Sequence, residues 1–368
     1  MDYYRLCKKY IHGKRMLVMI VLLVSVCCLI IFKSTREYKT LTLSHVTRKI
    51  FNGENIRTNT EVKRNKDVLI FGYMRGGTTL VADFYRNSPG VFFVFEPLMP
   101  YAYYHYFTNT SRCFMRHTQC VNVNRTQIVE VITTLTSLYS CNIHKLPSLV
   151  IDEILKQNKS SPAWFNFGKC LNDSKAASAD NKKCFHQINQ VCRKADIRVT
   201  KVLRLAFTHM DFLLMQSPDL HVIYLLRDPR AILNSRILTD WFPVSENDTP
   251  TVISNVDSLC KKMKSDHLSF KYLQKKYNER IQLMWIDRVT ESEGTMMNLF
   301  YNYRKSYTMQ TKDREFLDFV FDRKRNKWLF GDWHKTLKTN YTVYIIKKCS
   351  QFIPGSEAYH KNFQMSWN

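Results

Sequence analysis

The longest apolar run lies near the start of the chain. Met16 to Phe32 is seventeen residues without a formal charge, at the short end of what a helix needs to cross a bilayer. Arg5, Lys8, Lys9, Lys14 and Arg15 precede it, opposed only by Asp2. By the positive-inside rule that end stays cytosolic and the rest is exported. A cleaved signal peptide is the alternative, with Ser25-Val26-Cys27 as a small-x-small site. The apolar run continues past that site and meets Lys33 directly, which favours an uncleaved anchor. The expected organisation is a cytosolic tail at 1–15, a transmembrane anchor at 16–32, a polar stem at 33–64 and an exported domain at 65–368.

Beyond the stem the apolar runs become short and alternate with helical patterns, which predicts an α/β domain with a central parallel sheet flanked by helices. Strands are expected at Asp67 to Phe71, Ile197 to Leu203, His221 to Leu226 and Ile281 to Ile286. Helices are expected at Leu80 to Asn87, Pro229 to Arg236 and Val256 to Tyr277. In the last of these, Val256, Leu259, Cys260, Met263, Phe270 and Leu273 recur at helical spacing and read as a core face. Cys113 to Cys192 is polar and cysteine-rich, and reads as disulfide-stapled helices and loops forming one wall of a cleft.

Composition narrows the setting. The 368 residues carry 55 Lys and Arg against 31 Asp and Glu, a formal charge of +24, with 45% hydrophobic residues. That is a globular composition whose charge calls for an anionic partner. Of eleven cysteines, Cys7, Cys27 and Cys28 lie on or before the anchor, leaving eight for up to four disulfides in an oxidising lumen. Sequons begin at Asn109, Asn124, Asn158, Asn172, Asn247 and Asn340, in keeping with a secretory route and a glycoprotein. Export makes nucleic acid an implausible partner and brings polyanionic glycans and nucleotide phosphates forward.

Two segments carry chemistry. In Val68-Leu-Ile-Phe-Gly-Tyr-Met-Arg-Gly-Gly-Thr-Thr-Leu80 a buried strand runs through a Gly-rich turn into a helix, a geometry that aims backbone N–H groups at an anion. Gly72 and Gly77 have P-loop spacing, but Thr78 stands where an NTPase carries lysine. In the second, His221 to Leu226 enters Arg227-Asp-Pro-Arg-Ala-Ile-Leu-Asn-Ser235. Asp228 has the place of an N-cap and Pro229 that of the first helical residue. Arg227 therefore falls at the carboxyl end of a strand, where open α/β sheets bind ligands, with Ser235 about two turns on. A structural Arg227–Asp228 ion pair is the plainer alternative.

Together these segments resemble the Golgi carbohydrate sulfotransferases of the Gal/GalNAc/GlcNAc 6-O-sulfotransferase group. Tyr73-Met-Arg-Gly-Gly-Thr-Thr79 is similar to that family's loop for the 5′-phosphosulfate of PAPS (3′-phosphoadenylyl sulfate), and Arg227 to Ser235 to its 3′-phosphate site. Phe95-Glu96-Pro97, Trp333-His-Lys-Thr-Leu337 and Cys349 also match. The chain departs at Trp285-Ile-Asp-Arg288, where relatives carry an Arg-Tyr-Glu-Asp-like stretch. The resemblance implies a P-loop-like sulfotransferase fold preceded by one transmembrane helix, and a type II Golgi membrane enzyme. It implies PAPS as co-substrate with no metal, a glycan acceptor, and a Cys260–Cys349 disulfide. Tyr73, Met74, Arg75, Gly76, Gly77, Thr78, Thr79, Arg227 and Ser235 would bind PAPS. Arg75 and Glu96 would be catalytic, Glu96 as the base, while His105 and His117 fall in no matching motif. Tyrosine sulfation of acidic proteins, an inactive tethered binder of anionic glycans, and a P-loop kinase remain as other readings.

Overall fold

The computed structural model describes residues 66–173, 178–289 and 333–357; the predicted anchor and stem lie outside the described residues. Among the described residues no helix is long and apolar enough to cross a membrane. The strands are β1 (Lys66–Phe71), β2 (Val91–Phe95), β3 (His105–Phe107), β4 (Ser111–Phe114), β5 (Cys120–Asn122), β6 (Ile197–Val202), β7 (Leu220–Leu226) and β8 (Ile281–Trp285). Five form a parallel sheet in the order β2-β6-β1-β7-β8, and β3-β4-β5 form a small antiparallel one. The four strands read from apolar runs therefore stand within a residue of their expected ends.

β1 lies at the centre because it can be buried on both faces. Val68 and Ile70 pack on one side with Val81, Ala82 and Tyr85 of helix α1 (Thr78–Asn87). Leu69 and Phe71 pack on the other, in a cluster that also holds Tyr224 and Phe270. Successive side chains of a strand point to opposite faces, so one apolar run serves two cores. In register, Phe71 stands level with Val202 and Tyr224, Phe95 with Lys201, and Leu226 with Trp285. The carboxyl ends of all five strands thus share one rim. The chain leaves β1 toward β2 on one side and β7 toward β8 on the other, so a crevice opens between β1 and β7 at that rim.

Between β2 and β6 come α2 (Arg125–Tyr139), α3 (Ser148–Gln157), α4 (Pro162–Asp173) and α5 (Ser178–Lys194). Asn124 caps α2 by accepting from the Thr126 N–H. Cys141–Cys192 and Cys170–Cys184 staple this region, and Cys113–Cys120 joins β4 to β5. The cysteine-rich segment is thus disulfide-stapled as read, but it also contains the end of β4 and the whole of β5, which its polar sequence hides. After β6 come α6 (Met210–Gln216), α7 (Pro229–Ile237), α8 (Thr249–Lys276), α9 (Ile286–Val289), α10 (Trp333–Thr336) and α11 (Thr339–Cys349).

Asp248 caps α8 through the Thr251 N–H, and Val256, Leu259, Cys260, Met263, Phe270 and Leu273 are all buried. Cys260 pairs with Cys349, as the resemblance implies, pinning α11 to α8. All described residues fall in one compact unit, 64–368.

Candidate active site

The rim of the sheet encloses a cavity of about 470 Å³, within the range that takes a nucleotide-sized ligand. Its floor is the turn from β1 into α1. Arg75 (φ 68°) and Gly77 (φ 82°) both adopt left-handed backbone. A Cβ on Gly77 would stand 2.5 Å from Cγ1 of Ile286, so the turn packs against the chain leaving β8. Gly77 caps α1 without any side-chain hydrogen bond. The positive end of that helix therefore faces the cavity with no acidic residue in its first turn.

The second motif converges on the same turn. Asp228 accepts from the Arg230 N–H, and Pro229 occupies the first turn of α7, so the expected cap is present. Asp228 pairs with Arg230 at 2.6 Å, so the structural partner of this aspartate is Arg230. Arg227 is buried and donates to the Arg75 carbonyl at 3.0 Å. Nε of Arg75 donates to Oγ of Ser235 at 2.9 Å. Residues 150 or more positions apart are thus joined by two hydrogen bonds at one crevice.

Burial lowers the pKa of both Arg75 and Arg227; for Arg227, Asp287 opposes that effect. Asp287 also accepts from the Asp228 N–H at 3.0 Å. The divergent stretch after β8 therefore braces both motifs. α10 supports α7 in the same way: Thr336 donates to Asn234 at 3.1 Å, and Arg230 lies 4.6 Å over the Trp333 ring.

Met74, Arg75, Gly77, Thr78, Thr79, Glu96, Arg227 and Ser235 all line the cavity. Tyr73 and Gly76 do not. The Tyr73 ring turns into the core, where its hydroxyl meets that of Tyr224 at 2.7 Å, leaving only backbone to serve the turn. Glu96 (φ 42°) is 7% exposed and holds two cations. Lys201 reaches Oε1 at 2.7 Å, and Arg204 donates to Oε2. Burial alone would raise its pKa, but the two cations outweigh burial and hold the carboxyl at about 2. Lys201 also donates to Oγ1 of Thr79 at 2.9 Å and lies 4.0 Å over the Phe95 ring.

Lys201 and Arg204, with Lys159 and Trp241, are cavity residues that the sequence reading did not single out. For the first two a signal existed: two cations at and just past the carboxyl end of β6, where open α/β sheets bind ligands. Arg236, named only as the end of a helix, is buried and donates through Nε and Nη2 to the Met74 carbonyl, each at 3.3 Å. His105 and His117 stand away from the cavity, on and beside the small sheet. Among the described residues no group of His, Cys, Asp or Glu side chains is gathered so as to hold a metal ion.

The arrangement is a preorganised anion site, with Arg75 and Arg227 facing a helix N-terminus and a buried carboxylate set between two cations. The family model for the sulfotransferase domain matches residues 65–352 of this chain. Carbohydrate sulfotransferase 1 of Danio rerio is 27% identical over 195 residues, covering 48% of this chain and 45% of the relative. Carbohydrate sulfotransferase 4 of Mus musculus is 24% identical over 181 residues, covering 48% and 46%. The matched stretch thus spans less than half the length of these curated relatives. Among solved structures, mouse sulfotransferase SULT7A1 complexed with PAP aligns over 82% of this chain and 90% of its own, at 8% identity and a TM-score of 0.41. Sulfotransferase STF9 of Mycobacterium avium aligns over 81% and 77%, at 14% identity and a TM-score of 0.37.

Proposed function

This chain belongs to the sulfotransferase domain family, and from that premise we propose that it transfers a sulfuryl group from PAPS to a glycan hydroxyl, the 6-OH of Gal, GalNAc or GlcNAc. The acceptor oxygen bonds to sulfur as the bond from sulfur to the 5′-phosphate oxygen breaks. Adenosine 3′,5′-bisphosphate leaves with that electron pair, and the acceptor gives up its proton.

The observation that carries the reading is the convergence of Arg75, Arg227 and Ser235 at the N-terminus of α1. Arg75 and the N–H groups of Gly76 to Thr79 stabilise charge at the 5′-phosphosulfate, as fixed donors do where charge develops. Met74 and the Tyr73 backbone shape that turn. Arg227 and Ser235 hold the 3′-phosphate, which selects PAPS over nucleotides that lack it. No step calls on a metal ion.

Glu96 serves as the base. A carboxyl held at about 2 is ionised at any physiological pH. The acceptor hydroxyl becomes a strong acid only as its oxygen bonds to sulfur, so a weak base suffices at that late stage. Lys201 and Arg204 keep the carboxylate charged and fix its direction.

The same reading places the domain in the Golgi lumen as a type II membrane protein anchored at 16–32. The basic flank of that run supports the orientation, and four disulfides support an oxidising compartment. Transfer of labelled sulfate from PAPS to a panel of Gal-, GalNAc- and GlcNAc-containing acceptors, with linkage analysis, tests the reaction. Labelled 6-O-sulfate with the intact chain, lost on Arg75→Ala, is the expected result. Silence across the panel, with unaltered nucleotide binding, would leave an inactive glycan binder instead.

A further inference from the structure

From Pro97 to Val129 the chain holds no acidic residue, yet it carries His105, Arg112, Arg116, His117 and Arg125. The small antiparallel sheet gathers four of these. His105 pairs with Phe114 and Phe107 with Arg112, which puts His105 and Arg112 on one face of the sheet. The Phe114 ring stands 4.1 Å from the His105 ring and 4.2 Å from that of His117. Cys113–Cys120 closes the turn that holds Arg116 and His117. Neither arginine forms a salt bridge among the described residues, and Nε of each, with Nδ1 of His117, has no hydrogen-bond partner. Burial, then repulsion from Arg112, Arg116 and His117, lowers the His105 pKa; burial and Arg116 lower that of His117. This is a cation cluster with no acidic partner among the described residues.

The cluster is connected to the cavity. Arg116 lies 6.0 Å over the Tyr104 ring, and that ring meets Tyr103 edge-on at 4.5 Å. The Tyr104 hydroxyl donates to the Trp241 carbonyl. Tyr103 and Trp241 both line the cavity, and they stay 48% and 49% exposed. Half-exposed aromatic rings at a cavity mouth offer apolar faces to the C–H face of a sugar ring. A track therefore runs from the reacting end of the cavity over two aromatic rings to guanidinium groups that have no acidic partner among the described residues.

We propose that Tyr103, Trp241, Arg116 and Arg112 form an extended acceptor subsite, and that the acceptor is a glycan polymer already bearing sulfate or carboxylate groups. One sugar packs on the aromatic pair while anionic groups further along the polymer meet the arginines. This rests on the sulfotransferase reading and extends it to the class of acceptor.

The test is a titration of the full chain in detergent with fluorescent chondroitin sulfate, with a desulfated and carboxyl-reduced polymer, and with adenosine 3′,5′-bisphosphate. Arg112→Glu with Arg116→Glu is expected to weaken chondroitin sulfate binding at least about tenfold and to flatten its salt dependence. Nucleotide affinity should hold, which also shows that the variant folds; Arg112→Gln with Arg116→Gln replaces it if it does not. Lys169→Glu with Lys275→Glu, matched in charge but remote in sequence, should keep polymer affinity within about twofold. Tyr103→Ala should weaken both polymers alike, since a ring face does not read charge.

Equal losses in the two charge-reversed variants, or none in either, overturn the subsite. So does a loss confined to phosphatidylserine vesicles, which would make the patch a membrane contact. A chain that binds no bisphosphate nucleotide refutes the sulfotransferase reading itself, whatever the polymer does.

Discussion

Arg75→Met separates a residue built for a ligand from one built for the fold. Arg75 is partly buried, and among the described residues it forms no salt bridge. Among those residues its guanidinium has one hydrogen bond, to Ser235 at 2.9 Å, and lies 5.9 Å over Trp241. Removing the charge forfeits about 1.5–3 kcal/mol for a hydrogen bond from a charged donor and about 0.5–1 kcal/mol for the ring contact. It also relieves the desolvation of an unpaired cation, about 1–3 kcal/mol in the opposite sense. The Arg75 carbonyl still receives Arg227, and methionine keeps an apolar stem, so the opposing ranges leave a net change centred on about 1 kcal/mol in the unliganded protein.

The liganded protein should behave differently, because charge-assisted hydrogen bonds to phosphate are lost with nothing to offset them. A loss of about 2.7 kcal/mol corresponds to a hundredfold weaker affinity. At a bisphosphate concentration about 1,000 times the wild-type Kd, the wild type gains about 4.1 kcal/mol, and a variant binding a hundredfold more weakly gains about 1.4. In thermal melts at about 2–4 °C per kcal/mol, the nucleotide-induced rise should shrink from about 8–16 °C to about 3–6 °C. Were the unliganded melting temperature to fall by as much as the induced rise shrinks, Arg75 would be a structural residue and the reasoning would be refuted.

Gly77→Ala should cost about 2–4 kcal/mol in denaturant unfolding, from left-handed backbone and from the 2.5 Å approach to Ile286 Cγ1. Ile286→Ala should recover the steric share, whereas Ile286→Val keeps a γ-carbon there and should recover little. Glu96→Gln should lower kcat about 10²–10⁴-fold in sulfate-transfer assays with bisphosphate affinity nearly kept. It should also cost stability, because Lys201 and Arg204 lose their shared counter-charge. His267 is buried against Phe270 and Phe352, 5.7 and 5.6 Å between ring centres, and burial, then Lys271, lowers its pKa to about 4. Its unfolded value is about 6.5, so only the unfolded chain takes the proton between those values. Stability should therefore fall by up to about 3 kcal/mol as pH drops from 6.5 to 4, and His267→Leu should flatten that slope in pH-dependent melts. Cys260→Ala with Cys349→Ala should cost about 2–5 kcal/mol by calorimetry, since the bridge spans 89 positions.

The central sheet was legible because β1 and β7 are dominated by apolar runs and β6 and β8 keep apolar residues at most positions, as burial in a sheet covered on both faces demands. The two strand–turn–helix motifs were legible because capping and loop chemistry are local: Asp228, Pro229 and Gly77 act within a few residues of themselves. The small sheet was not. β3, β4 and β5 have three or four residues each and are held by groups distant in sequence. Ser258 donates to the Phe114 carbonyl at 2.8 Å, and Asn255 to that of Met115 at 3.2 Å. Glu96 illustrates the same limit at the site. Its place after β2 could be read locally, but Lys201 and Arg204 reach it only because β2 and β6 are neighbours in the sheet. A charge pair spanning more than a hundred residues leaves no periodicity to find.

The missing P-loop lysine has a physical replacement. The Thr78 methyl packs where any Cβ on Gly72 would have to lie, 2.5 Å away, and its side chain is buried. The Thr78 side chain therefore packs into the fold, and the residue brings no cation to the cavity it lines. The cation arrives from the neighbouring strand, where Lys201 is fixed by Glu96 and Thr79. Among the described residues the lining then holds Arg75, Lys159, Lys201, Arg204 and Arg227 against Glu96, an excess of four positive charges. A phosphosulfate and a doubly ionised 3′-phosphate carry about four negative charges between them, so bound PAPS would nearly neutralise the cavity. An acceptor with anionic groups of its own would then meet no spare charge there. Beside the aromatic track stand Arg116 and Arg112, which form no salt bridge among the described residues, and part of the chain's overall +24 acquires a specific use in that place.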